Sequence, residues 1–299
     1  MENLFTIARK DGSGAIIWSE DQKRFIIEEY QVRDNTLTNI AKMFSVRMEA
    51  IRNLLRKEGI PITNKKIRNY PRNSHYFDNI DTPDKAYWLG IIYSDGTIGK
   101  KNEIALGLKD KEHVEKFKLA IGAINHKITE VVDKRFSKPC YMYDFSIRDQ
   151  GIYDGLVKHG VLNNKSYKIF GLPDIKDKDL MRHFIRGYYD GDGGLSYSIK
   201  DPFYKSTFSL SFTGNQQFLT ELKEYLGLEK ISLEQNSVSK ITYQLKICGR
   251  QQVLSLLEWL YKDTDEKIRL DRKYNKYMEL SSYQAHNPRT LKSRVWPSL

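Results

Sequence analysis

Two aspartates, Asp95 and Asp192, end matching apolar segments of this 299-residue chain, and each is followed by glycine. Segments 88–96 and 185–193 have the pattern of the last turns of a helix. A carboxylate at a helix C-terminus faces the negative end of the helix dipole, whereas glycine suits the residue that follows a helix end. If the two helices pack in parallel, the carboxylates meet side by side, which is unfavourable without a divalent cation between them. The two segments therefore predict a metal-dependent active site.

Small residues recur four positions apart in both segments. They are Gly90 and Ser94 in the first, and Gly187 and Gly191 in the second. Residues four apart share one face of a helix, and a face without side chains lets a second helix approach backbone to backbone. We therefore expect Gly90 and Gly187 to form the contact that brings the two acids together.

The paired segments resemble the motifs of the LAGLIDADG homing endonucleases, in the form in which one chain carries both copies. The resemblance covers roughly residues 81–280 and implies that Gly90 and Gly187 are the helix-packing glycines. The implied metal-binding residues are Asp95, Asp192, Gly96 and Gly193. The second copy keeps the earlier acid of the motif as Asp190, where the first has Tyr93. That position is not the metal ligand in the family, so the departure does not argue against activity.

The resemblance implies a monomeric, site-specific endonuclease that hydrolyses both strands of a long, asymmetric DNA target. Its cofactor would be Mg²⁺, as two or three divalent ions, with Mn²⁺ as a substitute. Lys246 matches the family lysine that lies beside the metals and helps activate water or stabilise the phosphorane charge. In the first half its equivalent is Ser146 or Arg148, so the two half-sites are predicted to be chemically unequal. The alternative role for Lys246 is a surface contact to a phosphate.

The segments that follow the two motifs repeat the same order of elements. Each motif helix precedes a predicted hairpin, a helix, a second pair of strands and a last helix. The sequence therefore predicts an α+β fold of two pseudo-symmetric αββαββα repeats, 81–170 and 171–280, whose antiparallel sheets form a saddle. A basic C-terminal tail, 281–299, follows the second repeat.

The predicted strands alternate apolar residues with hydroxyl, amide and cationic residues. The apolar residues must pack under helices, which leaves one polar face on each sheet. Such side chains are the types that contact phosphates and base edges in the major groove. The predicted DNA-binding residues of the two repeats are Arg148, Ser209, Ser211, Thr242 and Gln244.

The N-terminal part of the chain, 1–62, forms a separate unit in the sequence. Two short helices joined by a tight turn resemble a helix-turn-helix, with Arg47 and Arg56 on the outward side of the second helix. A small helical bundle that spaces or dimerises the protein is the alternative. The next segment, 63–80, is a basic arm whose predicted phosphate contacts are Lys65, Lys66 and Arg68; a solvated linker is the alternative.

The composition favours a polyanionic partner, because 49 basic residues exceed 38 acidic ones and the isoelectric point is near 9.3. Two cysteines are too few for a disulfide framework. No apolar run has membrane-spanning length. We therefore expect a cytoplasmic protein, or one in the organelle or phage-infected cell that holds its DNA.

Two other functions are compatible with the same motifs. Some transcription regulators combine this fold with a helix-turn-helix and bind DNA without cutting it, although retention of both motif acids argues against that function. An RNA maturase that assists intron splicing is the other alternative.

Overall fold

The computed structural model describes residues 16–31, 35–62, 71–133, 140–161, 163, 171–200, 205–236, 239, 241–286 and 296. The chain divides into two compact units, Met1–Tyr70 and Pro71–Leu299.

The first unit is helical and has its own apolar core. Its helices are α1 (Glu20–Gln31), α2 (Leu37–Met43) and α3 (Met48–Lys57). Ser19 caps α1 by accepting from the backbone N–H of Gln22, whose side chain accepts in return from the backbone of Ser19. Ser45, with φ of 52°, lies in the short turn between α2 and α3. Buried apolar residues from these elements, among them Ile26, Ile40 and Leu55, hold the helices together.

The second unit contains two halves with the same order of elements, which confirms the predicted fold class. The first half consists of α4 (Pro83–Ser94), β1 (Gly96–Ile98), β2 (Glu103–Leu108), α5 (Lys111–Ala120), β3 (Thr129–Asp133), β4 (Cys140–Arg148) and α6 (Gln150–Lys158). The second half consists of α7 (Lys178–Asp192), β5 (Gly193–Ser198), β6 (Thr207–Gly214), α8 (Gln216–Tyr225), β7 (Leu233–Gln235), β8 (Tyr243–Cys248) and α9 (Arg250–Tyr261). The strands pair antiparallel in the orders β1-β2-β4-β3 and β5-β6-β8-β7.

Helix starts follow local sequence signals. The Thr82 hydroxyl accepts from the backbone N–H of Lys85, and Pro83 occupies the first helical position of α4. The Asp177 carboxylate accepts from two backbone N–H groups in the first turn of α7. These caps fix where each motif helix begins, and therefore which residues reach its C-terminal end.

The two motif helices meet backbone to backbone. A Cβ atom added to Gly90 would overlap the carbonyl oxygen of Phe184 and come within 2.7 Å of the Tyr188 nitrogen. A Cβ added to Gly187 would overlap the carbonyl oxygen of Tyr87 and come within 3.1 Å of the Ile91 nitrogen. The predicted packing contact is therefore present, and the apolar cores of both halves join around it.

A further helix, α10 (Asp271–His286), follows α9 and crosses the boundary at residue 280 that the sequence predicts. Beyond it, Trp296 is buried, and its indole N–H donates to the Ser255 hydroxyl at 2.8 Å. Part of the predicted tail is thus packed on the second half. The basic residues Arg289, Lys292 and Arg294 lie outside the described residues.

In the described part of the chain, each helix is too short or too polar to cross a membrane.

We expect Gly187→Ala to lower the free energy of unfolding by about 3 kcal/mol, because backbone atoms of α4 cannot move aside for the added methyl group. The loss should occur although alanine favours a helix by roughly 1 kcal/mol over glycine. Chemical denaturation measures the change. The matched control is Gly99→Ala, where the added Cβ would meet its nearest atom at 3.7 Å and stability should barely change. Equal stabilities of the two variants would mean that α4 and α7 separate freely.

Candidate metal-binding and nucleic-acid site

The C-terminal ends of α4 and α7 bring the two motif acids to one place. Asp95 is the half-buried residue that follows α4, and its backbone N–H donates to Ile91 at 2.9 Å. Asp192 is the exposed last residue of α7. A Cβ added to Gly191 would overlap the Ser94 hydroxyl and an Asp95 carboxylate oxygen. The Asp95 side chain therefore lies against the turn of α7 that carries Asp192.

The two acids also share a buried neighbour. Tyr188 is fully buried, and its hydroxyl donates to the Thr213 carbonyl at 2.7 Å. Burial raises the pKa of the Tyr188 hydroxyl well above its ordinary value, and the negative charges of Asp192 and Asp95 raise it further. Both carboxylates thus act on the pKa of the same side chain.

The donor set at this place is small and made of oxygen atoms. Among the residues that the structure describes, no group of three or more histidine, cysteine, aspartate or glutamate side chains could hold a metal ion. Two carboxylates beside main-chain carbonyls nevertheless fit Mg²⁺, which is commonly held by one or two carboxylates together with substrate phosphates. Such a donor set leaves most coordination positions of the ion to water or to other ligands.

Gly96 and Gly193, the other predicted metal-binding residues, begin β1 and β5 directly after the acids. Gly96 is buried against Ile92, where a Cβ would come within 2.7 Å of the Ile92 Cα. The carbonyl oxygen of Gly193 accepts a hydrogen bond from Lys273 Nζ at 2.6 Å.

Lys273, on α10, is a residue that the sequence did not single out. Its side chain is 6% exposed, and its Nζ also donates to the carbonyl oxygens of Tyr189 at 2.5 Å and Gly191 at 3.2 Å. These carbonyls belong to the last turn of α7, where carbonyls lack the usual partners further along the helix, and the Tyr189 carbonyl also accepts from the backbone N–H of Gly193. Burial lowers the pKa of Lys273 to about 8, whereas the charges of Asp190, Asp95 and Asp192 act to raise it.

Asp190, the earlier acid of the second motif, is fully buried and joins the two halves. Its carboxylate accepts from the hydroxyls of Tyr87 at 2.8 Å and Tyr261 at 2.7 Å, and from the backbone N–H of Leu270 at 2.8 Å. Burial raises the pKa of Asp190, although these hydrogen bonds and Lys273 oppose the increase. Because Tyr87 belongs to α4, the carboxylate ties that helix to the second half.

Tyr93 occupies the same position in the first motif and makes a different contact. Its hydroxyl donates to the carbonyl oxygen of His159 at 2.6 Å. The first motif thus replaces a buried acid by a neutral hydroxyl, and the two copies differ in structure as well as in sequence.

Residues 262–273, here called the strap, run from the second half to the first. Arg186 of α7 is fully buried and donates to the Ile268 carbonyl at 3.1 Å. From α5 of the first half, Lys116 Nζ donates to the Glu266 carbonyl and to the Asp271 carboxylate, both at 2.7 Å. Arg272 reaches Asp110, just before α5, at 3.1 Å. The strap therefore fastens the two halves together beside the motif helices.

Lys246 lies on the polar face of the second sheet. It is exposed and pairs with Ser211, which pairs in turn with Gly194, the residue after Gly193. It lines an open cavity of about 390 Å³. The other polar side chains of this cavity are Ser196, Ser206, Thr207, Ser209, Cys248 and Arg250.

The strand register identifies the counterpart of Lys246 in the first half. Gly96 pairs with Leu106 as Gly193 pairs with Phe212. One position further along, Thr97, Ala105 and Ser146 occupy the row that holds Gly194, Ser211 and Lys246 in the second sheet. Ser146 is therefore the counterpart, and Arg148 lies two rows farther, opposite Glu103.

The other predicted DNA-binding residues of the sheets lie on or beside the polar faces. Arg148 is exposed, whereas Ser209, Ser211 and Gln244 are half-buried. Thr242 precedes β8 instead of lying within it, and its hydroxyl is 2.9 Å from that of Ser239. Thr242 is thus a turn residue, because the strand begins later than the alternation of the sequence predicts.

The basic residues upstream have different surroundings. Arg47 and Arg56 are exposed, before α3 and on its last turn, respectively. Lys65, Lys66 and Arg68 lie outside the described residues. Arg72, a further cation of this basic segment, pairs with the buried carboxylate of Asp149.

Comparison with known proteins gives one curated relative and several solved structures. No protein-family model matches the chain. An uncharacterized protein of Methanocaldococcus jannaschii is 26% identical over 200 residues, which are 64% of this chain and 73% of that protein.

The similar solved structures include I-LtrWI, a LAGLIDADG homing endonuclease bound to target DNA, which is 12% identical with a TM-score of 0.44 over 70% of this chain and 92% of that chain. The LAGLIDADG meganuclease I-AabMI, bound to uncleaved DNA, is 12% identical with a TM-score of 0.45 over 69% of this chain and 91% of that chain. I-SmaMI, bound to uncleaved DNA in the presence of calcium ions, is 13% identical with a TM-score of 0.44 over 69% and 92% of the two chains. The solved structures that this chain is similar to thus include LAGLIDADG homing endonucleases, the family that its two motifs resemble.

Proposed function

We propose that this chain is a site-specific, double-strand DNA endonuclease that hydrolyses phosphodiester bonds with Mg²⁺. The observation that supports this proposal is the contact between α4 and α7, which places the Asp95 carboxylate against the turn that ends in Asp192. Two carboxylates held together repel each other. A bound divalent metal would offset that repulsion, so a metal-dependent nuclease accounts for the arrangement.

In this proposal Asp95 and Asp192 hold the metal, beside the main chain at Gly96 and Gly193. Mg²⁺, when bound, lowers the pKa of water and neutralises negative charge on the leaving oxygen. The backbone contact at the glycines sets the distance between α4 and α7. The protein therefore holds the two carboxylates in place before substrate binds. Mn²⁺ should substitute for Mg²⁺, since both take oxygen ligands.

The polar faces of the two sheets supply the proposed DNA-binding surface. Their outward side chains carry hydroxyl, amide and cationic groups, and alternate apolar side chains of β2, β6 and β8, such as Ile104, Leu210 and Leu245, are buried. The faces differ in charge, because Lys246 of the second sheet corresponds to Ser146 of the first. Unequal faces favour a long, asymmetric target bound by a monomer.

The N-terminal unit is proposed to bind DNA as a helix-turn-helix. Helix α3 buries Ile51, Leu54 and Leu55 on one side, whereas Arg56 on its last turn and Arg47, the residue before it, are exposed. A short turn at Ser45 separates it from α2. A helix exposed in this way is suited to enter the major groove.

We expect Asp95→Asn and Asp192→Asn each to reduce double-strand cleavage at least about 100-fold, because each removes a metal-binding charge. Binding to the selected DNA site in Ca²⁺ should stay close to the wild-type value. Cleavage-site selection from a randomised DNA library with Mg²⁺ supplies the target, and gel assays measure both quantities. Asp174→Asn, at an exposed aspartate paired with Lys176, is the matched control.

Two results would contradict the proposed activity. Cleavage at the wild-type rate by both single variants would place the active site elsewhere. Sequence-specific binding by the wild-type protein without cleavage in Mg²⁺ or Mn²⁺ would identify a DNA-binding regulator instead.

We expect Lys246→Met to slow cleavage of one DNA strand about tenfold more than cleavage of the other, because only the second half-site loses its lysine. Ser146→Lys should speed up cleavage of the slower strand. Labelling each strand separately measures both rates. Lys223→Met, on helix α8 under the sheet, should change neither rate. Equal slowing of both strands by Lys246→Met would instead make Lys246 a general phosphate contact.

We expect the double variant Arg47→Ala, Arg56→Ala to reduce the slope of log affinity against log salt by roughly 1.8, because each lost phosphate contact contributes about 0.9. Fluorescence anisotropy at several salt concentrations measures the slope. Lys23→Gln is the control, since Lys23 already pairs with Glu20 and Glu58. An unchanged slope would show that α3 does not contact the phosphates.

A further inference from the structure

We propose that Lys273 is the resident counter-charge of the acid pair, a positioning residue that holds the end of α7 and opposes the binding of metal there. The inference rests on the proposed function in one respect, that Asp95 and Asp192 hold the metal. Lys273 itself is not assigned to catalysis.

The first observation is the geometry of the ammonium group. Lys273 Nζ donates to the carbonyl oxygens of Tyr189, Gly191 and Gly193 at 2.5, 3.2 and 2.6 Å. An ammonium group has three N–H donors, so these contacts use its whole capacity. The three carbonyls flank Asp192, and their common donor fixes the main chain on both sides of that carboxylate.

The second observation is where the charge lies. Gly191 has Ser94 and Asp95 on its α4 side, and its carbonyl oxygen accepts from Lys273. The last turn of α7 is thus held between an acid of the first half and a lysine of α10. Lys273 Nζ also lies 4.9 Å from the centre of the Tyr189 ring, a contact that favours a cation.

The third observation is that the charge persists despite burial. Burial lowers the pKa of Lys273 to about 8, and the nearby carboxylates Asp190, Asp95 and Asp192 limit that decrease. The three carbonyl acceptors of Nζ match the three N–H donors of an ammonium group. A buried ammonium group also stabilises the negative end of the α7 dipole.

Two consequences follow from one cation fixed beside two carboxylates. It offsets their repulsion when metal is absent, which stabilises the folded protein. It also repels an arriving divalent cation and occupies main-chain oxygens that the cation could share. Removing the charge should therefore destabilise the metal-free protein and, at the same time, tighten its binding of metal.

The experiment measures thermal unfolding of the full chain without DNA over a series of CaCl₂ concentrations. We expect Lys273→Met to lower the midpoint in EDTA and to tighten the apparent Kd for Ca²⁺ at least threefold. Lys116→Met is the matched control. Like Lys273, Lys116 is at least partly buried and donates to main-chain carbonyls, but its acceptors lie in the strap. It should lower the midpoint and leave the Kd for Ca²⁺ unchanged. An unchanged or weaker Kd in Lys273→Met would overturn the proposal.

A second measurement needs no metal. In EDTA, Asp95→Asn should raise the midpoint of Lys273→Met by several degrees more than it raises that of the wild-type protein, because the variant lacks the offsetting cation. Additive effects of the two substitutions would overturn the proposal. If Lys273→Met does not fold, Lys273→Gln replaces it in both measurements, since glutamine keeps N–H donors and lacks the charge. Absence of Ca²⁺ binding by the wild-type protein would contradict the proposed function, whereas the EDTA measurement would still decide the role of Lys273.

Discussion

The backbone contact between Gly90 and Gly187 is the constraint on which the rest of the second unit depends. A methyl group at either glycine would overlap a carbonyl oxygen of the opposite helix. The separation of α4 and α7 is therefore set by main-chain atoms, which have no rotamers and cannot adjust. Everything attached to the ends of these helices, including the acids and the first strand of each sheet, inherits that separation.

Close packing of the two helices brings carboxylates and helix-end carbonyls, all of them negative, close together. Buried polar groups form hydrogen bonds with them. Asp190 accepts three hydrogen bonds, one of them from Tyr87 on the opposite motif helix. Lys273 donates to the carbonyl oxygens at the end of α7. A buried charge is tolerated when its hydrogen-bonding capacity is used. The polar interior of the second half thus belongs to the positioning of the site as much as the glycines do.

Local patterns in the sequence were sufficient for the repeated elements, because period and capping are local properties. Alternation predicted β4 and β8, the two apolar motif segments predicted the C-terminal turns of α4 and α7, and the four-residue spacing of small residues predicted the helix contact. Lys273 could not be predicted, since a lysine is exposed by default and its partners lie some 80 residues earlier in the chain. Arg72 follows the predicted basic contacts Lys65, Lys66 and Arg68 in sequence, and it pairs with the buried carboxylate of Asp149, a partner 77 residues away that no local pattern indicates.

The strap has a consequence for how such a two-half chain can be recombined. Residues 262–273 follow the second half in sequence, but Lys116 and Asp110 of the first half bind them. In a chimaera whose first half comes from another protein, the strap would face a different surface. The residues that bind it here would be replaced. The natural unit of exchange is therefore a half together with the residues that bind the strap, so the boundary between interchangeable parts differs from the boundary between repeats.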